Sequence, residues 1–592
     1  MSVERLITDN IDVWTSTVKT KSASGRGSSK KIELYGIKKL RELILELAVR
    51  GKLVPQDPND EPASVLLERI AEEKALLVKD KIIPRTKALA PLLDEDIPND
   101  LPEGWSMVRL GNLTSKLGSG STPRGGKNVY TTEGVPFLRS QNIRNEGIKL
   151  DDIAYIPVEV HQKMDKTKVM PNDVLLNITG ASLGRSTIFP ESLCEANVSQ
   201  HVTIIRLVER KMSLFVHLGI LSPMVQRLVW GRQVGMAIEG LSKKVLEMFE
   251  FPVPPLLEQH RIVAKVDELM SLCDQLEQQT ETSIEAHQTL VEVLLNTLTS
   301  SADAQELTQN WQRISEHFDT LFTTEKSIDT LKQTILQLAV MGKLVPQDPN
   351  DEPAAKLLER IAEEKAQLIK DKKIKKQKAL PEITDDEKSF ELPNGWEWER
   401  IGNLSHFIEY GSSQKTVERL PNGVPVLKMG DIQNGKLILG EHKVMSSDVD
   451  ELPNLYVKNN DVLYNRTNSA ELVGKTGIFK GVDDRYSFAS YLIRIRCNQE
   501  SIFPDYLNLS MNTPQFRISQ IEPHIKKQCG QANVNGTLMK SMLVSLPPLK
   551  EQKRIFNKVN ELIMMCDQLQ ASLKESQTTQ LHLTDAIIDK AL

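Results

Sequence analysis

The run GKLVPQDPNDEPA occurs twice in this chain, letter for letter, at residues 51–63 and 342–354, a displacement of 291 positions. The chain is therefore a tandem duplication. LELAVR precedes the first copy and LQLAVM the second, and LLERIAEEKA follows both, from Leu66 and Leu357. LPEGWSMVRLGNL, residues 101–113, returns as LPNGWEWERIGNL, residues 392–404, at the same displacement. PPLLEQHRIVAKVDELMSLCDQL, from Pro254, returns as PPLKEQKRIFNKVNELIMMCDQL from Pro547, now 293 positions on. Between these anchors the halves scarcely resemble each other, although Asn172-Asp173-Val174-Leu175 and Asn460-Asp461-Val462-Leu463 still align. A frame kept while its inserts diverge points to two different recognition modules on one scaffold.

A chain of 592 residues is too long for one core, and the duplication divides it into halves of one to two domains each. An apolar content of 40% and a charged content of 26% belong to a globular protein, and no apolar stretch is long enough to span a bilayer. MSVERLITDNIDVW carries charges where a secretory signal needs an apolar run, so the cytoplasm is the expected compartment. The five cysteines are widely spaced with no CxxC pair, which supports neither a disulfide frame nor a zinc site. Net charge is −5, but residues 101–250 carry +4 and residues 391–540 carry 0, which leaves −9 for the rest. The acidic charge thus sits in the repeated frame, and the divergent modules are neutral to mildly basic. This is either a weak nucleic-acid footprint or ordinary fluctuation.

The frame reads as helix. Leu40, Leu43, Ile44 and Leu47 share one helical face and Gly51 stands where a left-handed residue would end it; Leu331, Ile335, Leu338 and Gly342 repeat the pattern. Asp60-Glu61-Pro62 and Asp351-Glu352-Pro353 start second helices, with Leu66, Leu67, Ile70 and Leu77 as the apolar side of the first. After each Pro-Pro pair comes a heptad seam: Ile262, Val266, Leu269, Cys273 and Leu276, then Ile555, Val559, Leu562, Cys566 and Leu569. The helix from Leu256 is expected to meet the second half's opening helix near Ile328, and the first and last helices of the chain to pair with each other. The Ile262 and Ile555 seams are expected to coil together, their remaining faces docking partner subunits; ordinary core packing inside each half is the alternative. Residues 17–31 and 370–387, rich in Ser and Gly or in Lys, read as linkers or arms within reach of phosphates.

Each module opens with a Trp-bearing strand and a Gly/Ser loop, GSGSTPRGGK from Gly118 and EYGSSQKT from Glu409, followed by short β-branched runs and some helix. The first loop carries Ser119, Ser121, Thr122, Arg124 and Lys127; the second carries Ser412, Gln414 and Lys415. Later loops add Arg139, Gln141, Asn142, Thr179 and Arg185 in the first module, and Lys428, Asn465, Arg466 and Thr467 in the second. Arg and Lys suit guanine edges and Asn and Gln suit adenine, so these are the candidate DNA contacts, although they are also ordinary loop residues. No catalytic constellation stands out. Gly474-Lys475-Thr476 resembles the end of a phosphate loop, but Ser469 holds the position where that loop needs glycine. A base-methylating loop would follow its proline pair with an aromatic residue, and here Leu256 and Leu549 follow.

The paired LAVRGKLVPQ and LAVMGKLVPQ helices, LPxGW openings and PPLxEQ helices resemble the specificity (S) subunits of Type I DNA restriction-modification systems, over nearly the whole chain. The resemblance implies an α+β fold in which two mixed, strand-rich target-recognition domains are separated by two antiparallel coiled-coil helical spacers, as a pseudo-twofold tandem repeat. It places an N-terminal arm and distal helical region at 1–100, the first recognition domain at 101–253, the central spacer with the second repeat's helices at 254–390, the second recognition domain at 391–546, and a terminal helix pairing with the N-terminal region at 547–592. It implies that the chain binds double-stranded DNA at a bipartite, asymmetric sequence, its helices acting as a ruler, and that it is not itself an enzyme. The implied partners are two methyltransferase (M) subunits carrying S-adenosylmethionine and restriction/translocase (R) subunits using ATP and Mg2+, with no cofactor, metal or membrane held by this chain. A helical adaptor carrying two protein-binding domains is the rival reading.

Overall fold

A computed structural model of the chain describes residues 3–21, 31–233, 240–302, 304–374, 376, 378–528 and 531–592. Most of the arm at 17–31, and Lys375 and Gln377 of the second polar segment, lie outside the described residues. The architecture is α+β and falls into two compact units, Met1–Ser283 with Ser576–Leu592, and Ile284–Glu575.

Six helices make the frame: α1 (Tyr35–Val49), α2 (Ala63–Lys79), α3 (Leu256–Ser300), α4 (Glu325–Val340), α5 (Ala354–Lys370) and α6 (Leu549–Ala591). The two long ones, α3 and α6, each contribute residues to both units. The chain leaves α1 through Gly51 at φ 65° and α4 through Gly342 at φ 71°. A Cβ at Gly51 would also lie 2.4 Å from Pro102, so that position needs glycine twice over. Just past these glycines Lys343 donates to the carbonyls of Thr299 and Ser301, both at 2.9 Å, and Lys52 to that of Leu592 at 2.6 Å. The same repeated lysine thus holds the orphan carbonyls at the end of a long helix in each unit.

The heptad seams are buried as expected, but their partners differ from the expectation. Ile555, Val559 and Cys566 of α6 share one apolar cluster with Ile328, Leu331, Ile335 and Leu338 of α4 and with Val291, Leu295 and Leu298 of α3; Leu562 and Leu569 pack against it. The seam is filled by its own unit's opening helix, which corrects the expected coiling of the Ile555 seam on the Ile262 seam. In the other unit Ile262, Val266, Leu269, Cys273 and Leu276 are buried along with Leu40, Leu43, Ile44 and Leu47 of α1. Arg41 of α1 pairs there with Asp274 and Glu277 of α3, both at 2.6 Å, and Lys332 of α4 pairs with Asp567 of α6 at 2.7 Å. These bridges join equivalent positions of the repeat. The last turns of α6 pack on the N-terminal region, where the hydroxyls of Thr17 and Thr584 are 3.0 Å apart and Tyr35 donates to Asp585 at 3.0 Å.

The repeated motifs converge on one junction per unit. Gln56 and Trp105 donate to the two oxygens of Glu258, at 3.2 and 3.1 Å, and Arg261 pairs with Asp60 at 2.6 Å. Gln347, Trp396, Glu551, Arg554 and Asp351 reproduce this with distances of 3.2, 3.1 and 2.7 Å.

Each module is closed by pairing its first strand with its last: Ser106–Arg109 with Glu250–Val253, and Glu397–Arg400 with Leu543–Leu546, both antiparallel. Between them the described residues of the first module hold two four-stranded sheets and a two-stranded one, and those of the second a six-stranded and two three-stranded sheets. The order Ser186–Ile188, Val174–Asn177, Val202–Leu207, Thr114–Ser119 in the first recurs as Thr476–Ile478, Val462–Asn465, Leu492–Cys497, Ser405–Tyr410 in the second.

Candidate functional site

The NDVL alignment marks the buried polar anchor of each module. Asn172 and Asn460 turn the chain in the left-handed region, at φ 64° and 74°, where asparagine is tolerated. The following Asp173 and Asp461 are buried; each accepts the backbone N–H three residues back at 2.8 Å and takes an arginine, Arg206 at 2.7 and 2.9 Å or Arg496 at 2.6 Å. A buried carboxylate this fully bonded fixes one sheet geometry for both modules.

On that sheet three loops meet, with the same backbone bonds in both modules. Gly120 N–H donates to Val202 O (2.9 Å) and Gly411 N–H to Leu492 O (3.2 Å); Ser121 donates to Val198 O and Ser412 to Phe488 O, at 3.1 and 2.8 Å. Ile178 N–H donates to His201 O, and Arg466 N–H to Tyr491 O, both at 3.0 Å. Leu241 then donates to Ile178 O and Val534 to Arg466 O, both at 2.9 Å. The loops approach so closely that a Cβ on Gly120 would stand 1.9 Å from Val198 O, and one on Gly411 2.3 Å from Phe488 O. Glycine is required at both.

The side chains on this shared backbone differ. Ser119 is the equivalent of Tyr410, Ile178 of Arg466, Gln200 of Ser490, and His201 of Tyr491. Thr179 and Thr467 are retained; Thr179 Oγ1 lies 2.7 Å from His201 Nδ1, and Thr122 reaches Gln200 at 3.3 Å. In the second module the Arg466 guanidinium lies 4.9 Å from the ring centroid of Tyr410, whose hydroxyl accepts the Gly536 N–H at 2.7 Å. The ring holds the charge in place, and the guanidinium Nε–H donates to the Thr467 hydroxyl at 3.3 Å.

Of the sequence candidates, Ser119, Ser121, Thr122 and Thr179 gather at this cluster, as do Arg466 and Thr467. Arg185 borders it by accepting the Asn177 N–H at 2.8 Å. Arg139 and Lys428 border it at equivalent places, each donating its N–H to the side chain three residues on, Asn142 at 3.0 Å and Asp431 at 2.7 Å. Arg139 and Gln141 also bind Asp152, both at 2.6 Å. Asn142 and Asn465 are buried and bond to the carbonyls of Lys149 and Leu472 at 3.0 and 3.2 Å, so they shape loops rather than face a ligand. Ser412 is buried too, its hydroxyl bonded to Glu451. Arg124, Lys127, Gln414 and Lys415 are exposed farther along their loops. Sequence reasoning missed Gln200, His201, Tyr410, Ser490 and Tyr491. Two of these, His201 and Tyr491, are the residues that open the runs HVTIIRL and YLIRIR.

A duplicated scaffold presenting two like-built, differently furnished loop clusters defines a two-module recognition protein. The family model for the Type I restriction modification DNA specificity domain matches residues 102–286 and 393–576. The chain is 41% identical, over 604 residues and the full length of both, to the Type I restriction enzyme EcoEI specificity subunit of Escherichia coli. It is likewise 41% identical, over 615 residues and both full lengths, to the EcoAI specificity subunit of Escherichia coli. The crystal structure of the HsdS subunit from Thermoanaerobacter tengcongensis covers 83% of this chain and 98% of its own, at 19% identity and a TM-score of 0.42. The chain belongs to the family of Type I restriction-modification specificity subunits, whose role in their complexes is recognition and not catalysis. Among the described residues no single helix is long and apolar enough to cross a membrane.

Proposed function

We propose that the chain reads a bipartite, asymmetric sequence in double-stranded DNA, one module per half-site. It directs two methyltransferase subunits and the restriction/translocase subunits to that sequence in the cytoplasm; they use S-adenosylmethionine, ATP and Mg2+, and the chain itself binds none of these. The observation that carries the reading is the pair of loop clusters with matched backbone bonds and unmatched side chains at His201 and Tyr491, Ile178 and Arg466. Two readers of one sequence would keep their side chains, whereas two readers of different sequences keep only the backbone that positions them. The modest module charge fits a subunit that shares phosphate contacts with its partners.

Purified with its methylating partners, the chain should select one split sequence from a pool of random duplexes. Alone with S-adenosylmethionine and DNA it should transfer no methyl group. A complex that binds no duplex in preference would leave the chain an adaptor; methylation by the lone chain would overturn the assignment of catalysis to the partners.

A further inference from the structure

Around the loop clusters most polar side chains are already engaged. Ser412 is bonded to Glu451, Tyr410 to the Gly536 N–H, and Arg139 and Gln141 to Asp152. One position is different in both modules. His201 and Tyr491 each stand immediately before the central strand, Val202–Leu207 or Leu492–Cys497, and each backbone carbonyl is fixed by the N–H of the neighbouring loop. Tyr491 is 48% exposed, and its hydroxyl has no partner among the described residues. His201 is half-buried; Thr179 occupies Nδ1, and Nε2 has no partner among the described residues.

We infer that this shared position determines sequence specificity, His201 reading one base in the half-site of the first module and Tyr491 one base in that of the second. The inference rests on the proposed DNA reading and names where that reading is made. The backbone anchor fixes where the Cα–Cβ bond leaves the loop, which limits the base pairs the side chain can meet. The hydrogen bond between Thr179 Oγ1 and His201 Nδ1 orients the imidazole further, so a single ring nitrogen is left to pair with a base edge. A phenol in the same place reaches farther and donates its proton to an acceptor such as a purine N7 or a thymine O4. The same backbone with a different polar tip is the minimum change that alters the base read without moving the scaffold.

The test uses the full chain co-purified with its methylating partners and a pool of duplexes randomised at every position. Tyr491→Phe keeps the ring and removes the hydroxyl; His201→Ala removes the imidazole. Discrimination should fall about tenfold at one base of the second half-site for Tyr491→Phe, and at one base of the first for His201→Ala, every other position holding its preference. If His201→Ala does not assemble, His201→Gln is read in its place with the same expectation. Unchanged preferences in the variants, or equal weakening for all sequences as a phosphate contact would give, would overturn the inference while leaving the two-module reading intact. A wild-type complex with no sequence preference would overturn both.

Discussion

The indole N–H of Trp105 donates to the carboxylate of Glu258 across 3.1 Å, and that of Trp396 donates to Glu551 at the same distance. Trp105 and Glu258 are 153 residues apart and lie in two separate repeated stretches. The letters that repeat in this chain therefore repeat because they touch: GKLVPQ supplies Gln56, LPEGW supplies Trp105, and PPLLEQ supplies Glu258. The junction closes each module at its base, where the first and last strands pair.

Trp105→Phe keeps the apolar packing and deletes the donor, leaving one oxygen of buried Glu258 short of a bond. It should cost about 1–3 kcal/mol of stability. Urea unfolding would measure this, and an unchanged midpoint would contradict the junction's role.

Burial raises the carboxyl pKa of Glu258 and of Glu551 above the ordinary glutamate value, against the lowering effect of the hydrogen bonds from Gln56 and Trp105 and from Gln347 and Trp396. The folded chain thus holds these protons more tightly than the unfolded chain. Their contribution to stability is fully present below the unfolded value of about 4.3 and is lost as pH rises through the folded value. The wild type should therefore gain stability relative to the Glu258→Gln/Glu551→Gln double variant as pH falls from neutral towards the unfolded value of about 4.3. A stability difference flat across that window would contradict the assignment.

Leu269→Lys places an ammonium group on a seam position that is 2% exposed. With no counter-charge built for it, the change should cost about 3–5 kcal/mol, and the methylating subunits should no longer co-purify. Leu562→Lys, on the partly buried position of the other seam, should act in the same direction with smaller effect. Wild-type melting and co-purification of both variants would remove the seams from the scaffold.

Much of this was legible in the sequence because the signals were local or duplicated. The 3.6-residue spacing of Leu40, Leu43, Ile44 and Leu47 gave α1, and Gly51 gave its end. The partners of the seams were not legible, because a heptad states that a helix wants a neighbour and is silent on which: Ile555 found Ile328 and Leu331. Composition picked polar loop residues but could not separate Asn142 and Asn465, which bond inward, from Arg466, which lies over a ring on the loop cluster. His201 and Tyr491 were passed over because each opens an apolar strand run, and only the backbone bonds from Ile178 and Arg466 reveal that they share one position.

The spacer between half-sites should follow helix length. Since α3 and α6 each contribute residues to both units, an insertion has to be matched, four residues after Thr280 and four after Leu573, its equivalent in the repeat. Four residues add about 6 Å, close to two base pairs of B-DNA, and roughly one turn of helix. Methylome sequencing of cells carrying the matched insertions should return the same half-sites one or two base pairs farther apart. An active variant with the parental spacer would leave positioning to the partner subunits.

The most direct test of the two-module account is exchange of one module. Residues 106–250, which run from the residue after Trp105 to the first residue of the strand that closes the first module, would be replaced by the equivalent segment of a relative with a different target, and the methylome of cells carrying the hybrid with its partner subunits would be sequenced. The account predicts a methylated sequence in which one half-site is new and the other half-site and the spacer are unchanged. A hybrid that changes both halves, or neither, would contradict the division of recognition between the modules.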